Sequence, residues 1–179
     1  MSRKPDLKRL TVTAIMAAAA CVLGPISIPL PISLVPVSAC TLVFYLFSYL
    51  LRARACIAAC VVYILLGIAG LPVFSGFRSG AAVLAGPTGG YLLGYLFLCS
   101  ICPLAVNRFP TKRGLHLLAM TGATLVLYAF GTAWYAVYAQ ISVRAALAAA
   151  VLPFLPGDAV KIAVAVLTGP LLRRAVPKL

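Results

Sequence analysis

The residues best suited to chemistry are an aspartate and a lysine near the C-terminal end of the chain. Asp158 is the only acidic residue after position 6, and Lys161 follows it three positions later in an apolar stretch. Residues at this spacing lie on the same face of a helix, so the two charges are predicted to be neighbours. Pro156 and Gly157 directly precede the aspartate, which therefore also suits a helix N-cap or first turn. Helix capping accounts for Asp158 but not for Lys161. A purely structural ion pair and ligand binding are the two explanations for the pair, and ionisable residues within a membrane favour a functional role.

Composition places this charged pair in a membrane protein. The chain of 179 residues is 64% hydrophobic and 9% charged, with a mean hydropathy of +1.11, which excludes an ordinary soluble globular domain. Its apolar segments are too long and too rich in Gly and Ala for barrel strands, so an all-α integral membrane protein is predicted. Because a crossing needs about 20 apolar residues, one domain over residues 1–179 with six transmembrane helices is expected. The predicted spans are 10–24, 37–51, 55–70, 89–106, 115–139 and 156–172.

The distribution of basic residues predicts the orientation. Twelve of the fifteen Lys and Arg residues fall on one side of the predicted spans, whereas Arg78 and Arg144 fall on the other. By the positive-inside rule, both termini are cytoplasmic in a multi-pass protein of the cytoplasmic membrane. The formal charge of +13 is therefore assigned to orientation and to contact with anionic membrane lipid, and not to nucleic-acid binding.

The cysteines and the single histidine do not indicate catalysis or metal binding. Cys56 and Cys60, like Cys99 and Cys102, fall in apolar segments without nearby histidine or acidic ligands. Because thiolates are costly in lipid, these residues are predicted to be buried thiols. His116 is assigned an interfacial or capping role. No catalytic residues, no metal site and no cofactor are predicted.

Three irregular segments are predicted to meet at the extracytoplasmic end of the bundle. Residues 24–36 contain four prolines and no charge, so they should form a non-helical lid. Residues 67–90 contain seven of the 14 glycines. Within them, Gly86-Pro87-Thr88-Gly89-Gly90-Tyr91 could present backbone groups to a ligand where a helix begins, although a tight turn without a ligand is the alternative. The third segment leads into Asp158.

The side chains in these segments suit a small, partly apolar ligand with a neutral amide-like head. Asp158 supplies acceptors, Lys161 supplies donors, and Arg78 could meet a carboxylate tail. The chain has no series of acids for proton relay and no nucleotide-binding loop, so a binding subunit that depends on partners for energy is predicted. The residues predicted to contact the ligand are Asp158, Lys161, Gly86, Pro87, Thr88, Gly89, Gly90, Tyr91, Phe74, Arg78 and Trp134.

Small residues on the first helix suggest a second surface. Ala14 and Ala18 share one helix face, and in lipid such small residues allow another helix to approach closely. Packing against helices of this chain and docking of a partner protein are both open explanations.

Three motifs resemble one known family. The segments Gly70–Phe74, Ala85–Gly94 and Pro153–Lys161 are similar to those of the BioY family, and the resemblance extends over essentially the whole chain. These proteins are the biotin-capturing S components of energy-coupling factor (ECF) transporters. The resemblance implies a six-helix fold whose extracytoplasmic loops close over biotin. It also implies docking on a transmembrane coupling protein that is driven by two ATP-binding subunits, and no enzymatic activity of this chain.

The resemblance also implies roles for particular residues. Asp158 would accept a hydrogen bond from the ureido ring of biotin, Lys161 would donate one, and Ala14 and Ala18 would match the docking face. Cys40 stands where the family usually has glutamine, which puts any polar contact at that position in doubt. An S component or solitary carrier for another vitamin or carboxylate is the alternative, and a membrane enzyme is a weaker one. Whether the chain acts alone, as a homo-oligomer or with a coupling module is left open.

Overall fold

Helices form most of the chain in this computed structural model, which describes residues 7–30 and 33–176. The predicted domain and its terminal basic residues extend beyond these ranges at both ends. The helices and strands of the described residues are α1 (Leu7–Leu23), β1 (Ser27–Leu30), β2 (Ser33–Ser38), α2 (Cys40–Phe47), α3 (Ala53–Ile68), α4 (Ala81–Ala85), α5 (Gly89–Arg108), α6 (Arg113–Ala139), α7 (Val143–Ala150) and α8 (Leu155–Ala175).

Each predicted span coincides with a helix, but not all of these helices have membrane length. Among the described residues, α5, α6 and α8 are long and apolar enough to cross a membrane. The predicted second span, 37–51, contains only the eight residues of α2, because strand β2 occupies its first two positions. Ser38 marks the change from strand to helix, since its hydroxyl accepts a hydrogen bond from the amide of Cys40. The count of six spans stays a prediction.

A β-hairpin corrects the all-α prediction. Strands β1 and β2 are antiparallel, with Ser27 opposite Ser38 and Ile28 opposite Val37, and the register is irregular between Ile28 and Leu30. Proline lacks an amide donor and is tolerated at strand edges and irregularities, which fits Pro29 and Pro36 in these strands. The prediction that this segment is not helical is therefore confirmed for its described residues. Pro31 and Ile32 lie outside them.

The bundle is built around α5. This helix packs along α6 and also against α3, while α2 packs against α8. Small residues allow the close contact of α5 and α6, since Gly131 lies against the ring of Tyr91 and Gly90 lies against Trp134. Cys56, Cys60, Cys99 and Cys102 are buried in the core, as predicted. Within residues 7–30 and 33–176, no group of three or more His, Cys, Asp or Glu residues is arranged to hold a metal ion.

His116 is buried, which the predicted interfacial role did not include. Its Nε2 lies 2.8 Å from the carbonyl oxygen of Phe109, and its Nδ1 lies 3.2 Å from the hydroxyl of Tyr49. Because a carbonyl oxygen only accepts, Nε2 donates a hydrogen bond to Phe109. The histidine therefore connects α6 to Tyr49, which follows α2, and to Phe109, which follows α5.

Helix α1 uses one face for internal packing and leaves the predicted docking face free. Met16, Ala17 and Ala20 are buried, whereas Ala14 and Ala18 are exposed. The explanation that these two alanines pack against other described helices of the chain is therefore wrong. Docking of a partner protein at this face stays a prediction.

Candidate ligand site

The first turn of α8 positions the charged pair. Phe154 is the N-cap of this helix, Pro156 lies in the first turn, and the amide of Asp158 donates to the carbonyl of Phe154 at 2.9 Å. Asp158 is thus a first-turn residue, and its predicted alternative position as N-cap is wrong. Lys161 lies on the same face, and its Nζ is 2.8 Å from Oδ1 of Asp158. The predicted i, i+3 ion pair is present, and the aspartate is only 6% exposed.

Lys161 uses all its hydrogen-bond donors on protein groups. Besides Asp158, its Nζ donates to the carbonyl oxygen of Ser38 at 2.6 Å and to Oγ1 of Thr41 at 3.2 Å. An ammonium group has three N–H donors, so these contacts satisfy it. The lysine therefore ties α8 to the junction between β2 and α2.

Asp158 retains acceptor capacity towards the cavity. Its Oδ1 accepts from Lys161 at 2.8 Å and from Thr41 at 3.4 Å, and its Oδ2 accepts from the hydroxyl of Tyr128 at 2.6 Å. A carboxylate has about four lone-pair positions, so the described residues leave about one on Oδ2 for another donor. The buried carboxylate therefore contacts both a lysine and a phenol.

A small cavity lies beside the charged pair. It has a free volume of about 50 Å³, and its walls come from β2, α2, the loop after α3, α5, α6 and the start of α8. Of the residues predicted to bind ligand, Phe74, Arg78, Thr88 and Tyr91 line it together with Asp158 and Lys161. The structure therefore brings together six of the eleven predicted residues, from the glycine-rich segment with the start of α5 and from the start of α8.

The remaining predicted residues stand behind this lining. Nε1 of Trp134 donates to the carbonyl of Gly86 at 2.9 Å, so the tryptophan holds the end of α4 to α6. A side chain at Gly89 would overlap the carbonyl of Leu84, and one at Gly90 would overlap Trp134. These glycines serve close packing in this structure. Pro87 lines a neighbouring outer groove. Direct ligand contacts of all eleven predicted residues stay predictions.

Arg78 stands at the mouth of the cavity. It is exposed, and it lines both the cavity and the outer groove. A backbone bridge to Phe74 closes its loop, in which Gly76 has a φ of 72°. Glycine accepts this left-handed conformation without strain, so the turn can direct the arginine towards the opening.

Sequence reasoning missed several residues of the site. Tyr128 and Thr41 contact the aspartate, while Tyr95 and Phe154 line the cavity. The available signal was weak: Tyr128 is one of many aromatic residues in apolar segments, and Thr41 is a single hydroxyl in α2. Cys40, which stands at the glutamine position of the resemblance, is fully buried and is not part of the lining.

Comparison with known proteins shows the family of the chain. The sequence profile of the BioY family matches residues 1–178. The chain belongs to the BioY family. The resemblance in the sequence motifs is thus confirmed, and family membership together with three helices of membrane length identifies a multi-pass membrane protein.

Individual relatives of this BioY-family chain cover nearly its whole length. It is 35% identical to "Biotin transporter BioY2" of Lactococcus lactis subsp. cremoris (strain MG1363), with 95% of this chain and 92% of that protein covered. It is 36% identical to "Biotin transporter BioY" of Rhizobium etli, with 89% and 90% covered. The fold is similar to a crystal structure described as the S-component for biotin from an ECF-type ABC transporter, with a TM-score of 0.88, 25% identity, and 97% and 95% of the two chains covered.

Proposed function

We propose that this chain is the biotin-binding S component of an ECF-type transporter. The observation that supports this most directly is the buried Asp158, which keeps an acceptor position beside an apolar cavity in a BioY-family fold. The names of its relatives indicate biotin as the ligand, and the hydrogen-bonding groups of the site are compatible with biotin. A ureido ring offers N–H donors and one carbonyl acceptor to such a pair of charges.

The proposed recognition assigns one group of the ligand to each charge. Asp158 accepts from a ureido N–H through Oδ2. Lys161 donates to the ureido oxygen by turning from Thr41, its most distant partner at 3.2 Å, while it keeps the ion pair. Phe74, Tyr91 and Phe154 surround the apolar part of the ligand, and Arg78 meets its carboxylate at the mouth.

Ligand entry requires the cavity to expand. A cavity of about 50 Å³ is far below the range of about 300–1,000 Å³ that small-molecule sites occupy. The hairpin and the loop from Phe74 to Arg78 form its outer walls, so we propose that they move to admit biotin and then close over it. The hydrogen bond from Lys161 to Ser38 couples the charged pair to this movement.

The proposal includes the topology and partners implied by the family. The single domain crosses the membrane six times with both termini cytoplasmic, and Ala14 and Ala18 dock on a transmembrane coupling protein. Two ATP-binding subunits supply the energy, so this chain is a transport subunit and not an enzyme. The proposal does not require a homo-oligomer.

Mass spectrometry of the ligand that co-purifies with the detergent-solubilised chain tests this function. Unmodified biotin is expected, with an affinity on the order of nanomolar. Desthiobiotin should compete because it keeps the ureido ring, whereas lipoate, which lacks that ring, should not. Failure to bind labelled biotin, or equal competition by lipoate, would reject the proposal in favour of a carrier for another carboxylate. Recovery of a chemically altered ligand would instead indicate an enzyme.

A further inference from the structure

The end of the bundle opposite the ligand cavity contains a groove lined by arginines. Helices α5 and α8 begin beside the cavity and end beside this groove, which also contacts the start of α3. The groove has a volume of about 590 Å³, and Arg52, Arg108 and Arg173 line it. Three cations from three separate elements thus converge on one space that the proposed function does not use.

The positive charge of the groove is not neutralised by a carboxylate of the described residues. Asp158 is the only acidic residue within residues 7–30 and 33–176, and it lies at the opposite end of α8 from Arg173. Arg173 donates to the carbonyl of Val106 at 3.0 Å and to Oδ1 of Asn107 at 3.5 Å, which are both neutral acceptors. These contacts hold the guanidinium group of Arg173 in place but do not neutralise its charge. The side chains of Arg52 and Arg108 are exposed.

Apolar side chains continue the wall of the groove. Leu50 and Leu104 line it beside the arginines, and Leu104 is 62% exposed on the membrane-length helix α5. A second groove of about 380 Å³ adjoins the first, shares Leu50, Arg52 and Leu104 with it, and adds Arg54. A cationic floor next to an exposed apolar wall at the end of a membrane helix matches the two parts of a phospholipid.

We propose that this groove is a binding site for an anionic glycerophospholipid. Arg52, Arg108 and Arg173 hold the headgroup phosphate, because guanidinium groups form paired hydrogen bonds with phosphate oxygens. An acyl chain lies along Leu50 and Leu104. The apolar wall favours a lipid over a free phosphate ion or an acidic protein segment, neither of which would need it. A zwitterionic headgroup binds more weakly because its own cation faces the arginines.

The test measures binding of dioleoyl phosphatidylglycerol to the purified full chain in neutral detergent by native mass spectrometry. Arg52→Gln and Arg108→Gln are the variants, since both side chains are exposed and their removal leaves the contacts of Arg173 in place. Arg174→Gln is the matched control, because this arginine is exposed at the same end of α8 and does not line the groove. The affinity is expected to fall about fivefold for each groove arginine and about 25-fold for the double variant. The control should stay within about twofold of the unaltered chain by the same scale.

Three results would overturn the assignment. Equal weakening by Arg174→Gln would mean that lipid responds to general surface charge and not to the groove. Equal binding of dioleoyl phosphatidylcholine, or occupation by inorganic phosphate as tight as that by the lipid, would remove the anionic lipid as ligand. Unchanged lipid binding in the double variant would show that the lipid does not bind in this groove, and an acidic protein segment would then be the better candidate ligand. Monodisperse elution and an unchanged melting temperature of each variant verify that it is folded.

Discussion

The proposed recognition of the ligand depends most on the carboxylate group of Asp158. Asp158→Asn keeps the size of the side chain but replaces an ionised acceptor with an amide, and it leaves Lys161 without its counter-charge. Loss of a hydrogen bond to a charged group costs roughly 1.5–3 kcal/mol, so biotin affinity should fall about 10- to 100-fold or more. Equilibrium binding of labelled biotin to the detergent-purified variant measures this loss.

Thr168→Val is the matched control for that substitution. Thr168 is exposed on the same helix, and its hydroxyl bonds only to the carbonyl of Val164 among the described residues. Binding by the control should equal that of the unaltered chain. If the asparagine variant binds biotin normally while it elutes as a folded protein, the assignment of Asp158 to the ligand is wrong.

Tyr128 orients the same carboxylate from a different helix. Tyr128→Phe removes the hydroxyl that donates to Oδ2 of Asp158 at 2.6 Å but keeps the aromatic ring in the cavity wall. We expect biotin affinity to fall about tenfold and the melting temperature to decrease, because a buried charge loses a donor. Tyr138→Phe on the exposed side of α6 is the control, measured by the same binding and melting assays. Equal effects of both substitutions would rule out a specific role of Tyr128.

Sequence spacing could predict only the local part of this site. Asp158 and Lys161 are one helical turn apart, so helix geometry alone made them neighbours. Tyr128 and Thr41 lie 30 and 117 positions from Asp158. No local periodicity relates such distant positions; the packing of α6 and α2 against α8 brings them together. For the same reason, spacing did not indicate that Trp134 donates to the carbonyl of Gly86, 48 positions away; its contact with ligand stays a prediction.

Among the elements, the hairpin is the one proposed to move when a ligand enters the site. A Cβ placed at Gly157 would lie 3.7 Å from Cγ1 of Val37, so cysteines at these positions are close enough to cross-link β2 to α8. In Val37→Cys/Gly157→Cys protein, oxidation should slow biotin association at least about tenfold, because a cavity of about 50 Å³ must expand to admit a ligand. Reduction should restore the rate, as measured by stopped-flow or filter binding.

The two single-cysteine variants are the controls for oxidation of the six native cysteines. Their association rates should not respond to oxidant, since five native cysteines are buried and the sixth, Cys21, is partly buried on α1, a helix that does not line the cavity. A cross-link verified by mass spectrometry together with an unaltered association rate would show that β2 does not move away from α8 during entry.

The elements differ in how well the sequence predicted them. Uninterrupted apolar segments located α5, α6 and α8 to within a few residues, because length and hydropathy are sufficient there. Proline excluded a helix over 24–36 but could not indicate a strand pair, since pairing of Ser27 with Ser38 depends on contacts across the segment. The short α7 was also missed. Its alanine-rich sequence lay inside a connection that was treated as a loop.

At the scale of the whole molecule, the surfaces proposed for ligand binding and for coupling are separate. The ligand cavity lies among β2, α5, α6 and α8, whereas Ala14 and Ala18 are exposed on α1. Substitutions at the two alanines can therefore affect assembly with a partner without altering the ligand contacts. Because of this separation, ligand binding by the isolated chain and uptake by the complete transporter can be measured independently.

Ala14→Leu/Ala18→Leu should reduce biotin uptake by cells that produce the complete transporter while leaving biotin binding by the isolated chain unchanged. Large side chains prevent the close helix approach that small residues permit, and overpacking of a contact costs about 1–3 kcal/mol, which predicts about a fivefold or greater loss of uptake. Ala163→Leu, at an exposed alanine of α8, adds similar bulk to a different face and should leave uptake normal. If the double variant transports biotin at the unaltered rate, α1 faces lipid at these positions, and the coupling protein docks elsewhere. If it loses binding as well, the helix contributes to the ligand site through the core contacts of Met16 and Ala20.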